Sequence, residues 1–423
     1  MSKDVVVISP GALNIFWTIG AYYISDISDN YKVVLIIPDS YQDNLRFKKF
    51  LNKIKIYELI TYNDKLTGYS KQKYLSNFFK NTILKYKPVA VIQNDYIGID
   101  NMYLFHWSKT LNPQCQNIVI LSYQPSENGK LLNTVMKELI EATAAKYVGH
   151  GLVNLLVKHM ILSQKIFYSF FNNKFYPFLI LRVRPYFPLS WKINADILIK
   201  KKLFDYFLVY EESTKIYLED LFSENTQVEK IRFPAYVDHT INKVVYDQTN
   251  TPTISFFPSL LTIKSKNQEK NIYEWAKAIK YIKRSFPNHR YIFKFHPAYF
   301  GSEISKKIIA IFESECPFIN FIDDPEVTAE ELVLLSDVVV GDTSTTLMWA
   351  YFQMNKLVIS LDLKDFSTSG SMKKYKGVIY IDDIDNLKNI DLNIQSNTFL
   401  FDDQRSILSN PSVAEKIMQI IHS

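Results

Sequence analysis

Short apolar runs alternate with longer amphipathic stretches along most of the chain. In the first half the apolar runs are DVVVISP, YKVVLIIPD, KIKIYELITY, VAVIQND and NIVILSYQ, and DYFLVYEE and VEKIRFPAY follow later. In the second half they are TISFFPS, RYIFKFHP, FINFIDD, DVVVGD, KLVISLDL and GVIYIDD. Continuous apolar runs between helical patterns are typical of parallel strands that are buried on both faces. The pattern therefore predicts an α/β protein with two parallel sheets.

The chain length and one polar interruption predict two domains. A chain of 423 residues is too long for one ordinary core. The polar stretch VDHTINKVVYDQTNTP, residues 237–252, reads as the linker between the domains. We place an N-terminal Rossmann-like domain at 1–240 and a second one at 241–423, facing a central cleft. The last helix is predicted at 411–422, with Asn410 as its N-cap and Pro411 as its first residue, packing back on the N-terminal domain.

Composition narrows the class of protein. Hydrophobic residues make up 47% of the chain, which is enough for two cores. The only cysteines, Cys115 and Cys316, exclude a disulfide framework and fit a reducing compartment. Neither a secretory signal nor a long uncharged apolar run is visible, so a cytoplasmic location is expected. The seven histidines show no metal-ligand spacing, and we predict no metal site.

The basic charge is concentrated in residues 152–204. This segment has nine Lys and Arg residues and one acid, a net charge of +8, so the rest of the +6 chain sums to −2. Aromatic residues are interleaved with the basic ones, which suits an anionic membrane surface or an anionic glycan. A solvated basic face is an equal alternative, and single-stranded nucleic acid is the least favoured partner. We expect peripheral membrane contact and no nucleic-acid binding.

Two strand ends in the second domain carry candidate chemistry. The run RYIFKFHP ends on His296 and Pro297, and the run DVVVGDTSTT ends on Gly341 and a series of hydroxyl residues. Ligands of parallel α/β sheets bind beyond the carboxyl ends of the strands, and a helix start favours phosphate. His296 and Ser344 are therefore predicted to hold one phosphate, with Lys294 adding positive charge. The ordinary alternative is that these residues cap a strand and a helix.

These motifs resemble those of a known group of enzymes. FKFHP and PEVTAEELVLLSDVVVGDTSTT, within residues 293–346, are similar to the HP motif and the Ser/Thr motif of bacterial sialyltransferases and polysialyltransferases of the GT-B fold. The wider group includes capsule and teichoic-acid transferases. The resemblance implies that His296 contacts the CMP phosphate and either acts as the general acid or lies near it. It implies phosphate binding by Ser344 and Thr345, and binding of the cytidine by Glu330 or Glu331, with Glu326 less favoured.

Neighbouring positions complete the predicted donor site. They adjoin the two motifs or end a nearby strand: Lys294, Pro297, Ser259, Gly341 and Thr343. No tightly bound cofactor and no metal are expected, because the resemblance implies a CMP-sugar donor alone.

The general base is predicted in the first domain. The families carry an acidic pair followed by glycine, and the nearest match is Glu211 and Glu212 in LVYEESTK, where Ser213 replaces the glycine. Repulsion between adjacent carboxylates is expected to raise one pKa of the pair. The alternative is a helix start that favours acidic residues. Asp95 and Glu127, which also follow strands, are rival bases.

The resemblance implies an inverting transferase that moves sialic acid, or a related nonulosonate, from a CMP-sugar to a bacterial surface glycan or glycolipid. A CMP-Kdo transferase and a CDP-glycerol or CDP-ribitol polyol-phosphate transferase share the motifs. An isomerase like UDP-GlcNAc 2-epimerase has the same two-domain shape but ranks lower, because the first domain shows no matching cluster of carboxylates and histidines. A non-enzymatic glycan-binding protein is the last alternative.

Overall fold

The chain folds into two compact α/β units. The computed structural model describes residues 4–10, 21–52, 54–66, 68–94, 99–121, 202–222, 226–232, 251–258, 268–295, 301, 303–324, 327–342, 345–361, 372–389 and 402–422. One unit comprises Met1–Pro234 with Pro411–Ser423, and the other comprises Ala235–Asn410. Each unit contains one parallel sheet, so the predicted fold class of two Rossmann-like domains is confirmed. The basic segment up to residue 201 and the predicted linker up to residue 250 lie outside the described residues.

The first unit is built on a seven-stranded parallel sheet. Its strands are β1 Val5–Ser9, β2 Lys32–Pro38, β3 Glu58–Tyr62, β4 Ala90–Gln93, β5 Gln116–Ile120, β6 Tyr206–Val209 and β7 Gln227–Lys230. The order across the sheet is β3-β2-β1-β4-β5-β6-β7. The sheet grows in one direction from β1 to β3 and in the other from β4 onward. The carboxyl ends of β1 and β4 therefore form a topological switch point, where ligands bind in such sheets.

Helices connect these strands. The described helices of the first unit that precede residue 411 are α1 Ala21–Asn30, α2 Leu45–Leu51, α3 Gly68–Tyr86, α4 Ile99–Leu111 and α5 Glu212–Leu221, with a 3-10 helix at Asp39–Asp43. Asn44 caps α2, because its side chain accepts a hydrogen bond from the Phe47 amide at 2.8 Å. The interior residues of β1 and β2 are fully buried, as the continuous apolar runs predict.

The second unit has the strand order of a dinucleotide-type Rossmann sheet. Its strands are β8 Thr253–Phe257, β9 Arg290–Lys294, β10 Ile319–Ile322, β11 Val338–Gly341, β12 Leu357–Leu361 and β13 Val378–Ile381. The order is β10-β9-β8-β11-β12-β13, with every neighbouring pair parallel. In chain order this is the pattern 3-2-1-4-5-6. Its switch point lies between β8 and β11.

Helices pack around the sheet of the second unit. They are α6 Gln268–Ser285, α7 Glu303–Glu315, α8 Ala329–Leu335, α9 Thr345–Phe352 and α10 Asp402–Leu408, with a 3-10 helix at Ile384–Asn389. On α6 the buried residues Ile272, Trp275, Ile279 and Ile282 recur every three or four positions. These four residues belong to the same buried cluster as Phe293 of β9. The apolar face of α6 therefore packs against the sheet, as the amphipathic sequence pattern predicts.

The last helix, α11 Val413–His422, returns to the first unit. The predicted start at Pro411 is wrong by two residues, because Ser412 forms the cap. The Ser412 amide donates to Glu415 Oε2 at 2.6 Å, and the Glu415 amide donates to Ser412 Oγ at 3.1 Å. The Pro411 carbonyl accepts from the Arg232 amide at 2.9 Å, and the helix packs against α1 of the first unit.

Candidate functional site

Three neighbouring strands of the second sheet end at one level. The register pairs Phe256 of β8 with Phe293 of β9, and Val340 of β11 with Phe256. The segments that carry the predicted donor residues therefore leave adjacent strands: Ser259 comes three residues after Phe256, and His296 comes three after Phe293. Ser344 comes four residues after Val340. Adjacent strands lie about 4.8 Å apart, so the ends of β9 and β11 are about 10 Å apart.

Gly341 is required by close packing at the switch point. A Cβ atom on this residue would lie 2.9 Å from the Phe257 carbonyl oxygen and 3.1 Å from Leu347 Cδ2. The first neighbour is backbone, which cannot move aside without disturbing β8. Glycine lets β11 pass close to β8 and to α9, whose first residue is Thr345. The next residue, Asp342, is buried.

Lys294 is buried among carboxylates at the end of β9. Its Nζ donates a hydrogen bond to the Asp324 carbonyl at 2.9 Å, so the side chain reaches toward the segment that follows β10. Burial lowers the pKa of Lys294 to about 8, because desolvation disfavours the ammonium. Four carboxylates oppose this shift: Asp324, Asp323, Glu330 and Glu331. The structure thus brings Lys294 together with both glutamates that were predicted to bind the cytidine.

The two glutamates of α8 have different surroundings. Glu331 closes a capping box with Thr328: its Oε2 accepts from the Thr328 amide at 2.7 Å and from the Thr328 hydroxyl at 3.0 Å. This carboxylate is therefore engaged in holding the helix start. Glu330 lies outside the box and is half-buried. The binding of cytidine by either glutamate stays a prediction.

Several predicted site residues lie outside the described part of the chain. They are the donor residues His296, Pro297, Ser259, Thr343 and Ser344, together with Glu326 and the rival bases Asp95 and Glu127. Their assignments stay predictions.

The two glutamates after β6 are separated by the start of α5. Glu211 is the N-cap residue and is buried, whereas Glu212 is the first helical residue and is exposed. Glu212 Oε2 lies 2.8 Å from Lys230 Nζ of β7. The hydrogen bond from Lys230 lowers the pKa of Glu212. The raised pKa expected from repulsion within the pair is therefore not found at Glu212.

The carboxyl edge of the first sheet carries polar residues that the sequence analysis missed. Ser9 at the end of β1 pairs in register with Gln93 at the end of β4, and Asn94 follows. The Tyr23 hydroxyl of α1 donates to Asn94 Oδ1 at 2.9 Å. Tyr210 follows β6 and lies close enough to Tyr23 to interact electrostatically. The available signal was the polar end of the apolar run VAVIQND, from which only Asp95 was predicted to have a functional role.

Among the described residues, no group of three or more His, Cys, Asp or Glu side chains is arranged to hold a metal ion. None of the helices in the described ranges has the length and apolarity that a membrane span requires.

Comparisons with known proteins agree on the fold. No protein-family model matches the chain, and no curated protein sequence matches it. Among solved structures, UDP-GlcNAc 2-epimerase from Neisseria meningitidis bound to UDP-GlcNAc matches with a TM-score of 0.58 at 11% identity, covering 99% of both chains. UDP-GlcNAc 2-epimerase from Methanocaldococcus jannaschii matches with 0.57 at 13% identity over 99% of both chains. A glycosyltransferase from Rickettsia africae matches with 0.56 at 11% identity, covering 100% of this chain and 98% of the other.

These similarities establish two Rossmann-like α/β domains of the type found in GT-B enzymes. At such identities they show the fold alone. None of the three structures is described as a sialyltransferase, so the resemblance of the motifs to sialyltransferases stays a prediction, as does the central cleft.

Proposed function

We propose that this protein is a glycosyltransferase that binds a nucleotide-sugar donor at the carboxyl edge of the second sheet. The observation that carries the proposal is the order β9-β8-β11, with the three strands ending at one level. Two motifs that are far apart in sequence leave strands separated only by β8. That span of about 10 Å can be bridged by side chains that bind one phosphate group. The switch point between β8 and β11 is also where nucleotides bind in sheets of this order.

The chemistry of the two motifs suits a phosphate leaving group. His296 can donate a proton or a hydrogen bond to the departing phosphate. The hydroxyl residues Thr343 and Ser344 directly precede α9, whose amino end favours negative charge.

The donor is assigned from the motif resemblance. FKFHP and the Ser/Thr motif favour a CMP-activated sialic acid or a related nonulosonate, with Glu330 as the residue that binds the cytidine. CMP-Kdo and CDP-glycerol or CDP-ribitol are the alternative donors. The acceptor would be a bacterial surface glycan or glycolipid.

A UDP-GlcNAc 2-epimerase activity is the second candidate. It is favoured by the two epimerase structures that match nearly the whole chain. Two results separate it from a transferase: the protein would be stabilised by UDP rather than by CMP, and it would convert UDP-GlcNAc to its 2-epimer without any acceptor.

Nucleotide-dependent melting tests the donor. We expect CMP to raise the melting temperature and CDP and UDP to raise it less, because a ligand at a hundredfold excess over its Kd adds about 2.7 kcal/mol of stability. The Ser344→Ala variant should lose most of the CMP effect while melting normally without ligand. If UDP stabilises the protein and CMP does not, the sialyltransferase assignment is wrong and the epimerase candidate gains support.

We propose Glu211, rather than Glu212, as the general base of the transfer. A base works best with a pKa near the working pH. The Lys230 ion pair lowers the pKa of Glu212, which makes that carboxylate a weaker base. Glu211→Gln should therefore reduce transfer by about 10²-fold or more, while Glu212→Gln stays near the unmodified protein. Transfer is measured as release of CMP from the donor. If Glu211→Gln and Glu212→Gln reduce this release equally, the assignment is wrong.

We also propose peripheral attachment to the inner face of the membrane through the basic segment 152–204. Its charge of +8 favours anionic lipid. Sedimentation with phosphatidylglycerol vesicles should decrease as salt rises from 50 mM to 500 mM, because the attraction is screened. Binding that is equal for anionic and neutral vesicles would argue against this attachment.

A further inference from the structure

The first sheet has a polar cluster at each end, and the two clusters differ in how completely their hydrogen bonds are made. At the amino edge, both polar atoms of the Asn117 side chain are hydrogen-bonded. Its Nδ2 donates to the carbonyls of Phe105 at 3.0 Å and Leu203 at 2.7 Å, and its Oδ1 accepts from the Ser108 hydroxyl at 2.6 Å. Because both polar atoms of this buried amide have hydrogen-bond partners, Asn117 has a structural role.

At the carboxyl edge, only one of the two polar atoms of the Asn94 side chain is hydrogen-bonded. Its Oδ1 accepts from the Tyr23 hydroxyl at 2.9 Å. Its Nδ2 is buried and, within the part of the chain that the structure describes, has no hydrogen-bond acceptor. Asn94 is 0% exposed and Tyr23 is 1% exposed. A buried donor without a partner costs about 1–3 kcal/mol, so a partner that binds there gains that energy.

The position of Asn94 points to a ligand. It follows Gln93, the last residue of β4, and Gln93 pairs in register with Ser9, the last residue of β1. These two ends form the switch point of the first sheet, where ligands bind in open α/β sheets. The unpaired donor therefore lies where the topology predicts a binding crevice, while the complete network lies at the opposite edge.

The residue types and charges at this edge indicate which class of ligand fits there. Tyr23 bonds Asn94 directly, Tyr210 lies near Tyr23, and the strand ends at this edge add Ser9 and Gln93, so the buried polar groups here are hydroxyls and amides. Burial raises the pKa of Tyr23 and Tyr210, so both phenols stay protonated. Of the described residues that end or directly follow β1, β4, β5 and β6, none is a lysine, arginine or histidine, and Glu211 adds a carboxyl group. Such a surface fits neutral hydroxyl groups and disfavours phosphate.

We propose that Tyr23 and Asn94 form a binding subsite for a neutral, hydroxylated ligand, which is the sugar ring of the acceptor if the proposed transferase function holds. Asn94 Nδ2 donates to a ligand hydroxyl, and Tyr23 holds the amide in the orientation that directs Nδ2 at it. Because both side chains are buried, neighbouring atoms must move before the ligand reaches them.

The test uses the full chain and unmodified galactose, glucose and N-acetylglucosamine as probes in saturation-transfer NMR. We expect binding of at least one sugar to the natural protein. The double variant Tyr23→Phe with Asn94→Leu replaces both partners by apolar groups of similar shape, which leaves folding nearly unchanged. Sugar binding should become about tenfold weaker or be lost, since a polar ligand then meets an apolar wall. Ser108→Ala, at the amino edge, is the matched control and should bind sugar normally while melting at a lower temperature.

Two results would overturn the subsite: no saturation transfer to any of the three sugars in the natural protein, or unchanged transfer in the double variant. If the double variant loses its far-ultraviolet circular dichroism, Tyr23→Phe alone is judged by the same criteria. Melting with CMP is measured on the same samples. CMP stabilisation without sugar binding refutes the subsite and leaves the donor proposal standing, and sugar binding without a CMP effect does the reverse.

Discussion

At the carboxyl edge of the first sheet, Tyr23, Asn94 and Tyr210 present hydroxyl and amide groups, whereas at the same edge of the second sheet Lys294 lies among four carboxylates. Both sheets share the strand order in which growth reverses after the third strand. The shared topology creates a switch point in each unit, and the residues that end the strands decide what each can bind. The described polar groups at the first edge are mainly neutral, whereas those at the second edge include an ammonium and several carboxylates.

The largest expected effect tests the charged edge. His296→Ala should reduce turnover by about 10²-fold or more, in the range of a lost general acid. His289→Ala is the matched control, because His289 directly precedes β9 and so lies at its opposite end. Nucleotide release from CMP-sialic acid measures both variants. Comparable losses in the two variants would mean that the effect is on stability and not on the site.

A second prediction uses the pH response of Lys294. Its folded-state pKa of about 8 is below the unfolded value, so between pH 8 and about 10.4 the unfolded chain binds more protons and stability rises with pH. Relative to Lys294→Met, the natural protein should gain up to about 3 kcal/mol from pH 7 to pH 10 in urea unfolding. The exposed Lys306→Met serves as the control. An identical pH slope for the natural protein and Lys294→Met would show that Lys294 is not desolvated.

The third prediction concerns the close approach at the second switch point. Gly341→Ala should destabilise the protein by about 1–3 kcal/mol, because the new methyl group meets the Phe257 carbonyl. Gly301→Asn is the comparison: Gly301 has φ +62° and open space, and asparagine tolerates that conformation. Urea unfolding compares the two. A Gly341→Ala loss no greater than that of Gly301→Asn would contradict close packing between β8 and β11.

The smallest effect is expected at Glu212. Its exposed ion pair with Lys230 is worth less than about 1 kcal/mol, so Glu212→Gln should change unfolding little, and less still in high salt. Glu58→Gln breaks a similar exposed pair with Lys85 in the same unit and provides the reference. If Glu212→Gln lowers the free energy of unfolding much more than Glu58→Gln does, Glu212 makes an interaction at the carboxyl edge of the first sheet beyond its ion pair with Lys230.

The local pattern of apolar and polar residues predicted most of the elements of the fold. Continuous apolar runs such as DVVVISP and RYIFKFHP identified the strands, because a strand buried on both faces has to be apolar throughout. The start of α11 was misplaced because Asn410 and Pro411 suit a helix start, while the capping box that forms involves Ser412 and Glu415. Capping signals compete over a few residues, and only the folded chain shows which pair closes.

The sequence by itself also determined which strand ends carry His296, Ser344 and Glu211, since residue type and order are local facts. Strand order is a tertiary property, because parallel neighbours are joined by long crossovers that leave no local signature. Only the folded structure decided that β9 and β11 both flank β8, that Lys294 reaches the Asp324 carbonyl, and that Tyr23 bonds to Asn94 across 71 residues of chain. The unpaired Asn94 amide was likewise invisible in VAVIQND, because a missing hydrogen bond depends on what surrounds a side chain and not on its neighbours in sequence.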